Sequence, residues 1–234
     1  MSIVFKDGYF QKRDLVHVTA LGIQTHRLDA CIDRIKTNRI KGVFGCPYYD
    51  FEGTDLDFLT ELPWVEDVWF WGINLTNIDG LYALPNLKHF GVHPKRPPID
   101  FSRFPRLRTA VIEPKARDCG IETLEELESL HVWHYRQKDK TFSALALPKS
   151  LTELQINWAN STSLESLPAL AELRRLEIHQ CRNLVNLGNL GEKYPNLEYL
   201  VVSACGHVPR SEGERVVQNL HKLSHAYVQS AKIV

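Results

Sequence analysis

Ten histidines, five tryptophans and a scatter of carboxylates are the side chains in this 234-residue sequence whose types could do chemistry. His89 and His93 are four residues apart. On one strand face that spacing separates the rings by roughly 13 Å, too far to hold one ion without ligands from neighbouring strands. His131 and His134 are three apart and would point differently along a strand. Glu153, Arg175 and Glu177 could serve as acid–base groups. They are not accompanied by G-x-S-x-G, by G-x-x-x-x-G-K-[ST] or by H-E-x-x-H. Gly188-Asn-Leu-Gly191 is too short and wrongly placed for a phosphate loop. The residues therefore predict no catalytic centre, no metal and no cofactor. The tryptophans point to recognition instead. Exposed tryptophan and tyrosine are costly unless a partner covers them, and they are enriched among interface hot spots.

The elements that must position these residues follow from a recurring pattern of apolar residues at positions 1, 4 and 6. It reads Ile40/Val43/Gly45, Val65/Val68/Phe70, Leu87/Phe90/Val92, Leu107/Ala110/Ile112 and Leu127/Leu130/Val132. It continues through Leu151/Leu154/Ile156, Leu173/Leu176/Ile178, Leu197/Leu200/Val202 and Leu223/Ala226/Val228. The mean spacing of about 23 residues identifies a structural repeat. About eight or nine short parallel strands are expected at these positions. A second apolar set follows each polar gap at spacings of three, as in Leu75, Ile78, Leu81 and Leu84, which suits a 3-10 or irregular return. Leu84-Pro-Asn-Leu87, Phe104-Pro-Arg-Leu107 and Tyr194-Pro-Asn-Leu197 mark the corners where a return meets the next strand.

Strand side chains alternate, so with positions 4 and 6 inward, positions 3, 5 and 7 face out. Four of the five tryptophans fall on outward positions or the residue after them. The predicted contact surface comprises Phe44, Trp69, Trp71, His89, His93, Glu113, His131, Trp133, His134, Trp158, His179 and Tyr199. Trp71, His93, Glu113 and Trp133 would form one lateral row of roughly ~15 Å. The alternative is that the aromatics stack on one another and only stabilise the sheet. Gly45 in a core slot leaves room for a shifted register in the first repeats.

Over roughly residues 40–234 the sequence resembles the leucine-rich-repeat superfamily. The resemblance is strongest at Leu151-Thr-Glu-Leu-Gln-Ile156, Leu173-Arg-Arg-Leu-Glu-Ile178 and Leu197-Glu-Tyr-Leu-Val-Val202. Cys181 and Cys205 fall at that family's Asn/Cys position and Ala159 is small there, whereas Ile73, Lys95, Lys115 and Tyr135 occupy it elsewhere. The resemblance implies an α/β fold: a single solenoid with a curved parallel sheet on the concave side, 3-10, irregular or short helical returns, and a cap at each end. Residues 1–39 are expected to form the first cap, a hairpin around Asp7-Gly8 plus a helix that Thr25 could N-cap. Residues 40–210 are expected to hold the repeats. Residues 211–234 are expected to form the second cap, with Ser211-x-x-Glu214 as a capping box. The whole would be one continuous domain.

Lys plus Arg and Asp plus Glu each number 28. No basic excess exists to neutralise phosphates, so nucleic acid is not an expected partner. No apolar run spans a bilayer and no signal-peptide pattern opens the sequence, so a membrane is not expected either. Five scattered cysteines without C-x-x-C fit a reducing cytoplasm. The expected function is non-catalytic binding of another protein, most concretely as a bacterial immunity protein that inhibits a toxin domain. An adaptor or host-directed effector is the second reading. A carbohydrate-binding protein or enzyme using the Trp/His cleft is the third.

Overall fold

The computed structural model describes residues 3–13, 17–92, 95–229 and 231–234. The chain divides into two compact units, residues 1–110 with 115–120, and residues 111–114 with 121–234.

The first unit opens on β1 (Ile3–Lys6) and β2 (Tyr9–Arg13), an antiparallel hairpin. Asp7 and Gly8 both adopt positive φ (53° and 81°), the backbone that a two-residue hairpin turn requires. A strand unmarked by the repeat pattern follows, β3 (Val18–Gly22), antiparallel to β2 and parallel to β4 (Gly42–Gly45). Between them α1 (Leu28–Asn38) buries Cys31, Ile32 and Ile35 on one face. Thr25 does not cap this helix. It opens a separate 3-10 turn, Thr25–Arg27, and its hydroxyl accepts the Glu52 amide at 2.8 Å. From β4 the chain continues in parallel register through β5 (Asp67–Phe70) and β6 (His89–Val92). Val43, Val68 and Phe90 align, as do Gly45, Phe70 and Val92, and all are buried. The register does not slip at Gly45. A Cβ there would lie 2.7 Å from the Phe70 ring and 2.8 Å from that of Phe51, so neighbouring rings fill the slot.

The division between the units falls within β7 (Thr109–Ile112). The second unit carries β8 (Ser129–Trp133), β9 (Glu153–Asn157), β10 (Arg175–His179), the one-turn α2 (Leu190–Lys193) and β11 (Tyr199–Ser203). Then come α3 (Arg210–Val217), β12 (His225–Val228) and the short antiparallel β13 (Ala231–Lys232). Strands β8 to β12 are parallel and in chain order, aligning Leu130, Leu154, Leu176, Leu200 and Ala226 in one buried row. Ser211 makes no capping box, because α3 starts one residue earlier with Pro209 at the N-cap. Glu214 pairs instead with Arg210 at 2.8 Å.

Two local devices repeat. At each Pro corner the carbonyl before the proline accepts the amide three residues on: Val65 to Leu62, Leu87 to Leu84, Leu107 to Phe104 and Leu197 to Tyr194. Proline at the second turn position pre-sets that bend. At the ends of β5, β8, β9, β10 and β11 a left-handed residue turns the chain away from the sheet: Gly72, His134, Trp158, Gln180 and Ala204, with φ between 52° and 70°. The next residue drops into the core, as Ile73, Tyr135, Ala159, Cys181 and Cys205 do. Lys95 and Lys115 break the series, the first exposed and the second half-buried. After Lys95 the buried Arg96 substitutes, paired with Asp118 through two 2.9 Å hydrogen bonds. Asp118 also accepts the Ile99 and Lys115 amides. Burial raises its pKa, but the guanidinium and the two N–H donors outweigh that and leave it below the ordinary carboxylate value. Strands parallel in chain order, a shared inward register and compact returns make both units leucine-rich-repeat solenoids of the α/β class.

Candidate binding surface

In the first unit Trp69 and Trp71 project from alternate residues at the end of β5 and stack with centroids 5.6 Å apart and planes 17° apart. Gly91 makes this possible: a Cβ on the neighbouring strand would stand 2.2 Å from the Trp69 ring. Trp69 remains 43% exposed although it is backed by protein on one face. Phe44 aligns with Trp69 in the sheet but does not share its exposure. The prediction that it faces a partner is corrected. Phe44 is only 4% exposed, because the 3-10 turn Pro47–Tyr49 folds back and sets Tyr49 edge-on against it at 5.3 Å. Together Phe44, Tyr49, Trp69 and Trp71 line a cleft of about 350 Å³, whose polar wall is Lys12 and Asp67, 4.0 Å apart. Burial pushes the Asp67 carboxyl up. Tyr48 and Phe5, 82% and 61% exposed, extend the apolar character of this unit, and neither was marked in the sequence. Tyr48 could have been found from its place beside Pro47 at the end of the Gly45 strand. His89 is exposed, with Nδ1 2.7 Å from Thr109 Oγ1. His93 lies outside the described residues.

The second unit gathers Trp133, His134 and Trp158. The Trp158 ring stacks on His134 (5.0 Å, 10°) and meets Trp133 at a steep angle (5.1 Å, 63°). All three are half-buried. Glu113, which the sequence placed in a row with Trp133, is half-buried too. Asn157, on an outward row, is buried. Its Oδ1 accepts from Gln155 while Nδ2 has no partner among the described residues.

Beyond the tryptophans the outward rows turn polar and interlocked. Glu177 binds Arg175 Nε at 2.6 Å and His179 Nε2 at 2.8 Å, and His179 Nδ1 lies 2.6 Å from Ser203 Oγ. Burial raises the Glu177 pKa, but His179 and Arg175 lower it further, and the net value falls below that of a free glutamate. Arg175 also lies over the Tyr199 ring at 3.8 Å, and Tyr199 stacks on His225 at 4.4 Å. Burial pushes His131 down, against the opposing pull of Glu177 and Glu153. A hydroxyl, an imidazole and a carboxylate in series are the parts of an acyl-transfer site. Here the carboxylate is also held by Arg175, and the series lies along the sheet rather than across a cleft. Sequence reading caught Glu177 and His179 but not Ser203, because the contact joins adjacent repeats 24 residues apart.

Among the described residues no group of three or more His, Cys, Asp or Glu is placed to hold a metal ion. No helix among them is long and apolar enough to cross a membrane. No family model matches the sequence, and no curated protein does. Among solved structures the chain is similar to an internalin. That protein is from Listeria monocytogenes, and the two share 14% identity over 90% of this chain and 80% of that one, with a TM-score of 0.42. What the surface does has to be read from its own side chains.

Proposed function

We propose that this protein is a non-catalytic binding module that takes up another protein through its outward aromatic residues. The observation that carries the reading is Trp69: a tryptophan left 43% exposed, yet fixed by its stack on Trp71 and by the space Gly91 leaves for it. A pre-ordered ring loses little freedom on association, and rings of this kind carry most of an interface's energy. Within this reading the favoured partner is a bacterial toxin domain, which the chain would bind and inhibit in the cytoplasm. Rigid aromatic anchors suit the tight, long-lived complexes that inhibition needs.

The test is co-expression with toxin domains encoded beside the gene, scored by growth rescue and by co-purification. Rescue that is lost in Trp69→Ala supports the reading. Co-purification with an unrelated adaptor partner and no rescue would remove the toxin assignment while leaving protein binding in place.

The Ser203–His179–Glu177 series gives the competing reading, acyl transfer. A fluorophosphonate probe that labels the wild-type chain but not Ser203→Ala would favour it. The binding reading expects no labelling, because Arg175 holds the Glu177 carboxylate and the series lies along the sheet rather than across a cleft.

A further inference from the structure

The structure assigns a second recognition site to the second unit, a hollow at the ends of its strands that takes a carboxylate-bearing, acidic segment of the protein partner. This extends the binding reading above and rests on it. The hollow, of about 510 Å³, is lined by Arg136, Trp158, Asn160, Gln180, Arg182 and Asn183. Its floor is already committed. Asn160 donates to the Gln137 carbonyl and accepts the Gln137 amide, and Asn183 donates to the Asn160 carbonyl. What remains uncommitted among the described residues is the pair of guanidiniums and the Gln180 side-chain amide, with the Trp158 ring beside them. No aspartate or glutamate lines the hollow. Other arginines of this unit are neutralised: Arg174, Arg175, Arg210 and Arg215 each contact a carboxylate.

The backbone points to the same place. Trp158 and Gln180 occupy the left-handed turn position at φ 54° and 59°. Gly72 fills the same turn position in the first unit. His134 and Ala204 share that position, so the turn belongs to the repeat, and what it does here is set Trp158 and Gln180 at successive strand ends beside the hollow. His134, stacked flat on Trp158, and Trp133 at a steep angle hold the indole in place. The free groups are thus cationic forks, an amide and a rigid π face. A carboxylate accepts two N–H bonds from a guanidinium, and the peptide carrying it can lie on the indole. Such forks take phosphate as well as carboxylate, and the ring beside them is what favours a peptide. Here the free donors are arginine side chains flanking a tryptophan, the two residue types most enriched in protein–protein hot spots.

The full chain should be titrated calorimetrically at low salt with the blocked peptide Asp-Glu-Leu-Asp-Glu. Its amide counterpart Asn-Gln-Leu-Asn-Gln, inorganic phosphate and glucuronate form the comparison arms. The acidic peptide is expected to bind, and the amide counterpart to bind roughly tenfold more weakly or worse. Arg136→Gln and Arg182→Gln should each weaken the acidic peptide by about fivefold or more without moving Tm, and about 0.5 M salt should remove most of the binding. Equal binding of the two peptides, or unchanged binding by both arginine variants, overturns the proposal. Phosphate or glucuronate binding as tightly as the acidic peptide also overturns it, in favour of a small-anion site. Trp69→Ala separates this site from the first. It should keep the acidic peptide while losing the protein partner. Arginine variants that bind the whole partner normally sink the hollow's role and leave the wider reading intact.

Discussion

The two units solve the same core problem and then spend their outward positions differently. In the first, rings stand in mid-sheet and lean on one another: Trp69 on Trp71, Phe44 under Tyr49, with Gly91 clearing the space. In the second, the mid-sheet carries a network of charges and hydrogen bonds with the Tyr199–His225 stack beside it, and Trp133, His134 and Trp158 gather at the strand ends. The inward positions of both units are interchangeable apolar residues fixed by stacking. Outward positions feel no such constraint, so their chemistry can diverge from repeat to repeat while the fold persists.

The sharpest way to break that comparison is the buried Arg96–Asp118 pair of the first unit. Arg96→Ala leaves the Asp118 carboxylate without its cation, held only by the Ile99 and Lys115 amides, and should cost about 3 kcal/mol in a denaturant melt. Asp118 is the pH-sensitive partner. Its folded pKa lies below the unfolded one, so its contribution is fully present above about pH 4 and is lost as pH falls through the folded value. Acid melts of the wild type and Asp118→Asn should therefore converge below that window. Parallel curves throughout would mean that the pair contributes nothing.

Core truncations should be blind to the unit they fall in. Leu81→Ala in the first and Leu154→Ala in the second, both buried, should each cost about 2–5 kcal/mol. A change near 0.5 kcal/mol in either would mark a solvent-facing leucine and end the claim of a common inward frame.

Outward changes should do the reverse. Trp69→Ala should weaken partner binding by about 2 kcal/mol while moving stability far less. If it unfolds the chain and the partner still binds the folded fraction, the ring is structural. Smallest of all, the strand-end position should respond to glycine with opposite signs. Gln180→Gly relieves a left-handed residue and should gain about 0.5 kcal/mol, whereas Gly72→Ala should lose about 1 kcal/mol. Equal losses at both sites would remove the argument from strain.

What the sequence made legible follows from which residues answer to periodic constraints. Positions 1, 4 and 6 read correctly from Ile40 to Val228 because each is buried by its neighbours in the stack, and only Leu223 stays partly exposed. The Pro corners read correctly because proline dictates its own bend. Phe44 was misread because its cover, Tyr49, comes from a turn with no repeat signature. Thr25 and Ser211 have the right residue types for caps, but the helices begin elsewhere, at Leu28 and Arg210. Arg96 was invisible as a core residue because only Asp118, 22 residues on, makes its burial tolerable. Of the candidate surface, the Trp69–Trp71 and His134–Trp158 contacts link near neighbours in a repeat or strand ends one repeat apart. The unpaired state of Arg136 and Arg182 depends on what is absent around them in space, which no spacing rule encodes.

The thiols at the ends of the second unit's strands make the molecule its own stopwatch. Cys181 and Cys205 lie in successive turns, fully covered, with the Cys181 thiol pushed up by its hydrogen bond to Cys205 and by burial. Cys31 is sealed on the buried face of α1 in the other unit, whereas Cys119 is exposed. A thiol reagent added to the native chain should consume Cys119 at once, take the partly exposed Cys46 next, and then wait on each turn to open. Because a stacked repeat can open locally, the later labelling times of Cys31, Cys181 and Cys205 become separate clocks for how often each part of the solenoid lets water in.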